Sequence, residues 1–434
     1  MAIFMMNSHA GLRELVWLAC ALAACGTAPS PATGDAAAPA DTADAATAGA
    51  DSAADVTAPD VPFEVADHPP APQVLKGKGA VLAHPHARVV TFDGDPQRAT
   101  AEAFVSAIGG SAYWSAATAE YGVGDLTVDA PIHLAIVPTP SVTESEVEVF
   151  LAEQLTRETA LWGQPDPATI YVLVYPQGVT VTEPQTNGVS CKDFGGYHFL
   201  TAVGAVSVHY AMIPACPGFD GPGVDLAHTF QVAASHELLE AATDPDPYAA
   251  PAWTKLDTAH AGWATIAGGP ELGDMCTFVE GDPFTWPTTG YTSERAWSDA
   301  AAAASRDPCQ PAPAEPYFNA APETPDTVTY AGLKVAGVHI AAGQDAVVPV
   351  HLFSDAPTAG PWVVYATDYA TWYLQAAPQL QFDWDGATKS SGQNGDVLNL
   401  HITVVKADVK KAEPYFIFSR QGQTTHFWVG FVGN

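Results

Sequence analysis

The sequence predicts an α/β domain, a mixed sheet with one strongly apolar helix that carries histidine and glutamates, followed by an all-β sandwich. Two observations carry that prediction. Between residues 72 and 310, apolar β-branched runs of strand length take turns with stretches at helical period. From residue 324 to 434 the helical period is gone, and short runs of alternating apolar and polar side chains recur between turn signals, the pattern of a sandwich. A third observation bounds the rest. Of 434 residues, 48 are Asp or Glu and 16 are Lys or Arg, for a formal net charge of -32, while 47% are hydrophobic, enough to bury a real core. Such acidity excludes a nucleic-acid partner, which needs a surplus of cations to meet phosphate, and attraction to anionic lipid. No apolar run beyond the N-terminus reaches the ~18–20 residues of a membrane span, which excludes a polytopic membrane protein.

The N-terminus reads as an address. In residues 1–25, Arg13 precedes an apolar stretch over 15–24 that ends in small residues, as in a cleaved secretory signal. Leu22-Ala23-Ala24-Cys25, with Gly26 after it, resembles the lipobox of bacterial lipoproteins. That resemblance implies lipid modification of Cys25, a membrane anchor through it, and, by the Gly26 that stands in place of Asp, sorting to the outer membrane. Residues 26–71 are almost all Ala, Pro, Thr, Ser, Gly and Asp, without Lys or Arg. They bury too little apolar surface to offset the entropy of ordering, so a disordered tether is expected there.

The elements of the folded part follow in order. Strands are expected at 87–92, 131–138, 169–175 and 205–213, and helices at 97–108, 144–161 and 225–243. Asp225 suits the cap of the last helix, and Pro245 and Pro247 forbid its continuation. The Pro- and Ala-rich stretch 311–323 reads as a linker. Sandwich strands are expected at 346–353, 362–366, 380–384, 397–405, 415–419 and 426–432. Asn394-Gly395 is a strong turn signal before the fourth of these. There Leu398, Leu400, Ile402 and Val404 share one face and Asn399, His401 and Thr403 the other.

Six cysteines less Cys20 in the signal and Cys25 leave Cys191, Cys216, Cys276 and Cys309. An exported chain sits in a disulfide-permissive compartment. Four cysteines allow three pairings; Cys191–Cys216 and Cys276–Cys309, each closing a short loop, are the expected ones. A four-cysteine zinc site lacks the CxxC spacing it needs.

The chemistry concentrates in Ser235-His236-Glu237-Leu238-Leu239-Glu240. His236 and Glu240 are four apart and share one face of a helix, so imidazole and carboxylate reach a single ion. Glu237 stands where the general base of the HExxH metallopeptidases stands. The pattern is that of a zincin helix with its second histidine replaced by Glu. A third ligand must come from elsewhere, and Glu271 and Asp274, beside Cys276, offer carboxylates. His228 and His260 are held in reserve. One His with two carboxylates suits zinc with an open position, or another divalent ion. The helix is otherwise apolar and therefore buried, and buried charges are paired or bound to metal. Ser235 lacks the Gly-x-Ser-x-Gly elbow of a serine hydrolase.

Several blocks, in this order, resemble one family: Ser111-Ala112-Tyr113-Trp114 with Glu120-Tyr121-Gly122-Val123-Gly124, Cys191 with Phe194-Gly195-Gly196-Tyr197-His198, Tyr210-Ala211-Met212-Ile213-Pro214 with Cys216-Pro217, the stretch 235–245, Glu271-Leu272-Gly273-Asp274-Met275-Cys276, Arg295-Ala296-Trp297-Ser298, and Asp307-Pro308-Cys309. They are similar to the exordium-like (phosphate-induced) family of plant cell-wall proteins and its bacterial relatives. The resemblance covers roughly 75–310 and leaves out the sandwich. It implies an extracellular protein with a metallopeptidase-like fold, His236, Glu237 and Glu240 in one block and Glu271, Asp274 and Cys276 in another. It does not imply peptidase activity, because that family lacks the second histidine, as this chain does. Two functions are therefore expected in competition. One is a metal-dependent peptidase acting on a peptide with Glu237 as base. The other is a non-catalytic cell-envelope protein whose sandwich binds a partner or cell-wall ligand. A monomer is expected in either case.

Overall fold

The computed structural model describes residues 62–183, 187–221, 223–277, 283–405 and 412–433. The expected signal segment, Cys25 and residues 26–61 of the expected tether lie outside the described residues. Among those described, no helix is long and apolar enough to cross a membrane.

The N-terminal part is built on a mixed sheet. Its strands are β1 (His86–Thr91), β2 (Thr127–Val128), β3 (Ile132–His133), β4 (Thr169–Tyr175), β5 (Tyr197–Val203) and β6 (Val206–Pro214). The order is β2-β1-β4-β6-β5, with β3 also on β1. All pairings are parallel except β5 with β6, a hairpin closed by Gly204-Ala205 with Gly204 at φ 64°. The expected strand 131–138 is only Ile132–His133; Pro131 and Pro138, at its two ends, have no N–H to give a ladder.

Period 2 divides the central strands between two cores. Ile170, Val172 and Val174 of β4 face one side, with Ala211 and Ile213 of β6. Tyr171, Leu173 and Tyr175 face the other, with Tyr210 and Met212. Helices cover both faces, which is why these strands read as unbroken apolar runs. The first face carries α1 (Arg98–Ile108), α2 (Ala112–Thr118) and, further on, the helix Leu226–Thr243. The second carries α3 (Glu144–Arg157) through Val147, Leu151 and Leu155. Thr143 and Glu146 form a reciprocal cap at its start.

The helix α4 (Leu226–Thr243) starts at Asp225, whose side chain accepts from the backbone N–H of His228. From Thr229 to Thr243 it is buried on every face. Its small residues, Ala233, Ala234, Ala241 and Ala242, let it lie in the core beside the sheet. Both expected disulfides, Cys191–Cys216 and Cys276–Cys309, are formed. Two disulfides mark a chain of the extracellular or periplasmic space.

The C-terminal part is a β-sandwich of ten strands among the described residues. One sheet has the order β7 (Phe318–Pro322), β10 (Asp345–Ser354), β14 (Val397–Val404), β12 (Leu380–Asp383). The other runs β8 (Asp326–Tyr330), β9 (Leu333–His339), β16 (Thr424–Gly433), β15 (Glu413–Gln421), β11 (Trp362–Asp368), β13 (Lys389–Gly392). Val348, Val350, Leu400, Ile402, Tyr415 and Ile417 fill the space between them.

Two expected boundaries are corrected. The linker 311–323 contains β7, every residue of which is buried, because Phe318, Ala320 and Ala321 have apolar side chains to give both faces. Of the expected tether 26–71, residues 62–71 pack on the protein. The backbone of Glu64 and Ala66 hydrogen-bonds the Asn394 side chain, and His68 stacks on Phe353 and bonds Ser305. Val65, Phe63 and His68 give this stretch the ring and apolar surface that the residues before it lack.

The two parts share one core. Phe416 and Phe418 alternate with Tyr415 and Ile417 along β15, and the phenylalanines join Trp263, Trp428 and Phe431 in the core that also holds α1 and α4. Gly262 lies so close to Phe431 that a Cβ there would meet the ring edge at 2.5 Å.

Candidate metal centre

The sequence-predicted residues His236, Glu237, Glu240, Glu271 and Asp274 come together between α4, β5 and the segment 268–277. His236, Glu237 and Glu240 project from consecutive turns of α4. Glu271 and Asp274 arrive on a segment fixed at both ends. The Cys276–Cys309 disulfide holds one end, and the backbone N–H of Trp297 bonds the carbonyl of Leu272 at 2.8 Å. Strand β5 adds His198, and the end of α4 adds Asp244.

His236 Nε2 lies 3.0 Å from Glu240 Oε2 and 3.9 Å from Asp274 Oδ1. These three residues offer donors that all lie within 4.8 Å of one another. Bonds of ~2.0–2.1 Å at the tetrahedral angle put zinc ligands about 3.3–3.5 Å apart, so the spacing brackets that of a common ion. The 3.0 Å approach is an ion-pair contact, and neither Nε2 nor Oε2 makes a hydrogen bond. Nδ1 of His236 and both oxygens of Asp274 are likewise buried without one. The other oxygen of Glu240 accepts the backbone N–H of Asp274 at 3.2 Å, which turns Oε2 toward His236. Buried polar atoms without hydrogen bonds are rare, and a group of them marks a candidate cation site.

The packing keeps this space clear. A Cβ on Gly273 would lie 2.7 Å from His236 Nδ1 and 2.9 Å from Glu240 Oε1, and one on Gly269 would run into the Asp274 carboxylate. Only glycines let the segment approach the helix so closely.

Electrostatics point the same way. Burial holds the Glu240, Glu271 and Asp274 carboxyls well above the usual carboxylate range, and neighbouring carboxylates add to it. Burial pushes Glu237 up to about 7 against the pull of His236, and Asp244 up to about 6. It pushes His198 down. Each charged form is penalised by desolvation, and a divalent ion is what would restore it.

The centre is closed. The side chains of His198, His236, Glu237, Glu240 and Asp274 are 0% exposed, and Glu271 is 4% exposed. The reserve ligands do not join it. His260 bonds Asp257 at 2.9 Å and stacks edge-on to Trp263, and His228 lies in the first turn of α4, outside both donor groups. Ser235 has a structural task, since its hydroxyl oxygen accepts the backbone N–H of Glu294 at 2.9 Å. The conspicuous blocks around Tyr121 and Trp297 brace each other: Tyr121 donates to the carbonyl of Trp297, and Glu120 accepts from the backbone of Ala300.

His198 and Asp244 join the cluster without having been expected there from the helix spacing. The Gly204-Ala205 turn was the available signal for β5. A strand beginning at Tyr197 and folding back onto 206–214 carries His198 to the helix.

No family model and no curated protein matches this chain. Among solved structures, a chimeric titin Z1Z2 carrying a decorin peptide is similar over 27% of this chain and 90% of its own, at 16% identity and a TM-score of 0.16. The titin M10–obscurin-like 1 Ig complex is similar over 27% and 91%, at 19% identity and 0.16. The titin M3 domain covers 27% and 94%, at 9% identity and 0.15. Scores this low carry no argument about function.

Proposed function

We propose that this chain is an exported cell-envelope protein, lipid-anchored through Cys25, whose α/β part is zincin-like and built around a divalent metal, zinc first, held by His236, Glu240 and Asp274. One observation carries the reading: these three donors converge, fully buried, with ligating atoms that make no hydrogen bond. The ordered blocks that resemble the exordium-like family support the envelope location, and the sandwich is its interaction module. Because the centre is sealed, the metal's role is to fasten the segment 268–277 to α4. A closed set of ligands is the form that structural zinc takes.

The test is metal content. Residues 62–434, purified and measured by plasma mass spectrometry, are expected to hold zinc or another divalent ion, and His236→Ala is expected to release it. Metal-free protein in the unsubstituted form refutes the reading.

A second reading, a metallopeptidase, is favoured by the position of Glu237. It adjoins His236 on the helix and keeps one oxygen, Oε1, without a partner. A divalent ion supplies Lewis acidity to a carbonyl and to water. Glu237 would take the proton as base, and its carboxyl, at about 7, suits that work near neutrality. A substrate would need the segment 268–277 to lift. Cleavage of a peptide library by the unsubstituted protein, lost in Glu237→Gln with metal at His236 retained, is the outcome this reading requires.

A further inference from the structure

The buried cluster is larger than the three donors assigned above. Glu237, Glu240, Asp244, Glu271 and Asp274 bring five carboxylates into one closed space, and among the described residues their charge partners are His198 and His236.

The donors fall into two groups that share one residue. Beside His236, Glu240 and Asp274 stands a second set, His198, Glu237 and Glu240, whose donors also lie within 4.8 Å of one another. His198 Nδ1 is 3.4 Å from Glu237 Oε2 and 3.8 Å from Glu240 Oε2, again bracketing the about 3.3–3.5 Å between ligands of a common ion. Both histidines therefore approach the same oxygen of Glu240, His236 from one side at 3.0 Å and His198 from the other.

Both ring nitrogens of His198 face acceptors: Nε2 lies 3.2 Å from the carbonyl oxygen of Asp244 and Nδ1 3.4 Å from Glu237 Oε2. A cation between His198 and the glutamates would take the tautomer that donates Nε2–H to the carbonyl and turns a lone pair at Nδ1 toward them. Imidazoles that bind metal are held in this way, with the far N–H donated to a carbonyl. In that tautomer three electron-pair donors face one another, and Glu240 Oε2 and Glu237 Oε1 are buried without a hydrogen bond.

We infer that the centre is dinuclear. A second divalent cation sits between His198 Nδ1, Glu237 and Glu240, and the Glu240 carboxylate is shared between the two ions. Ions bridged in this manner stand about 3.5–4 Å apart. The inference rests on the metal reading above, and it makes Glu237 a ligand and not a free base.

The test is stoichiometry on the intact folded chain with zinc and cobalt alone as probes. Plasma mass spectrometry is expected to give two zinc ions per chain, one in His198→Ala and one in Glu237→Gln, with the first ion remaining at His236. Cobalt added to metal-free protein is expected to raise the visible d–d absorbance to a break at two equivalents. Since His198→Ala could unfold the sheet edge, the cobalt break of the unsubstituted protein decides by itself. One equivalent there, unchanged in Glu237→Gln, overturns the dinuclear centre and leaves the single-metal reading standing. No metal in any form overturns both.

Discussion

Gly273 is the residue on which the centre turns. It carries no catalytic chemistry, yet a methyl group there would press on His236 and Glu240 together. Gly273→Ala is expected to destabilise the protein by about 1–3 kcal/mol, as overpacking does, and to weaken metal retention in the same step. Thermal melts of the substituted and unsubstituted protein, with and without chelator, check both. If the glycine matters only for its space, the two proteins will differ in melting temperature and keep the same metal content. Chelation of the unsubstituted protein is also expected to lower its melting temperature, because a ligand of the folded state at 100 times its Kd contributes about 2.7 kcal/mol.

At the scale of elements, α3 brings its own pH dependence. Glu144 in its first turn is pushed from 4.5 up to about 7, first by burial and then by Glu183 beside it. The folded state therefore holds that proton more tightly than the unfolded chain does. The contribution to stability is complete below about pH 4.5 and lost as pH rises through about 7. Glu144→Gln should accordingly melt higher than the parent at pH 8, and the gap should close by pH 4; melts at the two values decide it.

The elements also show what a sequence can disclose. The strand at 169–175 and the helix at 226–243 were legible to within a residue, because each has one dominant signal: an apolar run of fixed length, or a cap followed by a proline stop. That His236, Glu240 and Asp274 lie together was legible because helix spacing and a neighbouring cysteine restrict them. His198 was not, since its strand runs apolar on both faces and period 2 says nothing there about which side meets the helix. The strands at 318–322 and 326–339 were hidden for another reason. Prolines and small residues surround them, and 318–322 and 338–339 pair with strands that are not their neighbours in sequence.

For the whole molecule, the shared core predicts joint unfolding. Phe431 belongs to the sandwich by its strand and to the α/β part by its contacts. Phe431→Ala should cost about 3–5 kcal/mol and lower the melting of both parts together. Far-ultraviolet circular dichroism, which follows the helices, and tryptophan fluorescence, which follows the junction through Trp263 and Trp428, should trace a single transition. Two separated transitions would mean that the parts are independent.

That junction also sets a timetable. A chain delivered across a membrane N-terminus first presents β1, α1 and α4 long before residues 416–431 have arrived. Until then the face that Trp263 offers to Phe427 and Trp428 stands open to water. The first core therefore closes only when residues 416–431 are in place, and a chain cut before them is expected to leave the α/β part unfinished.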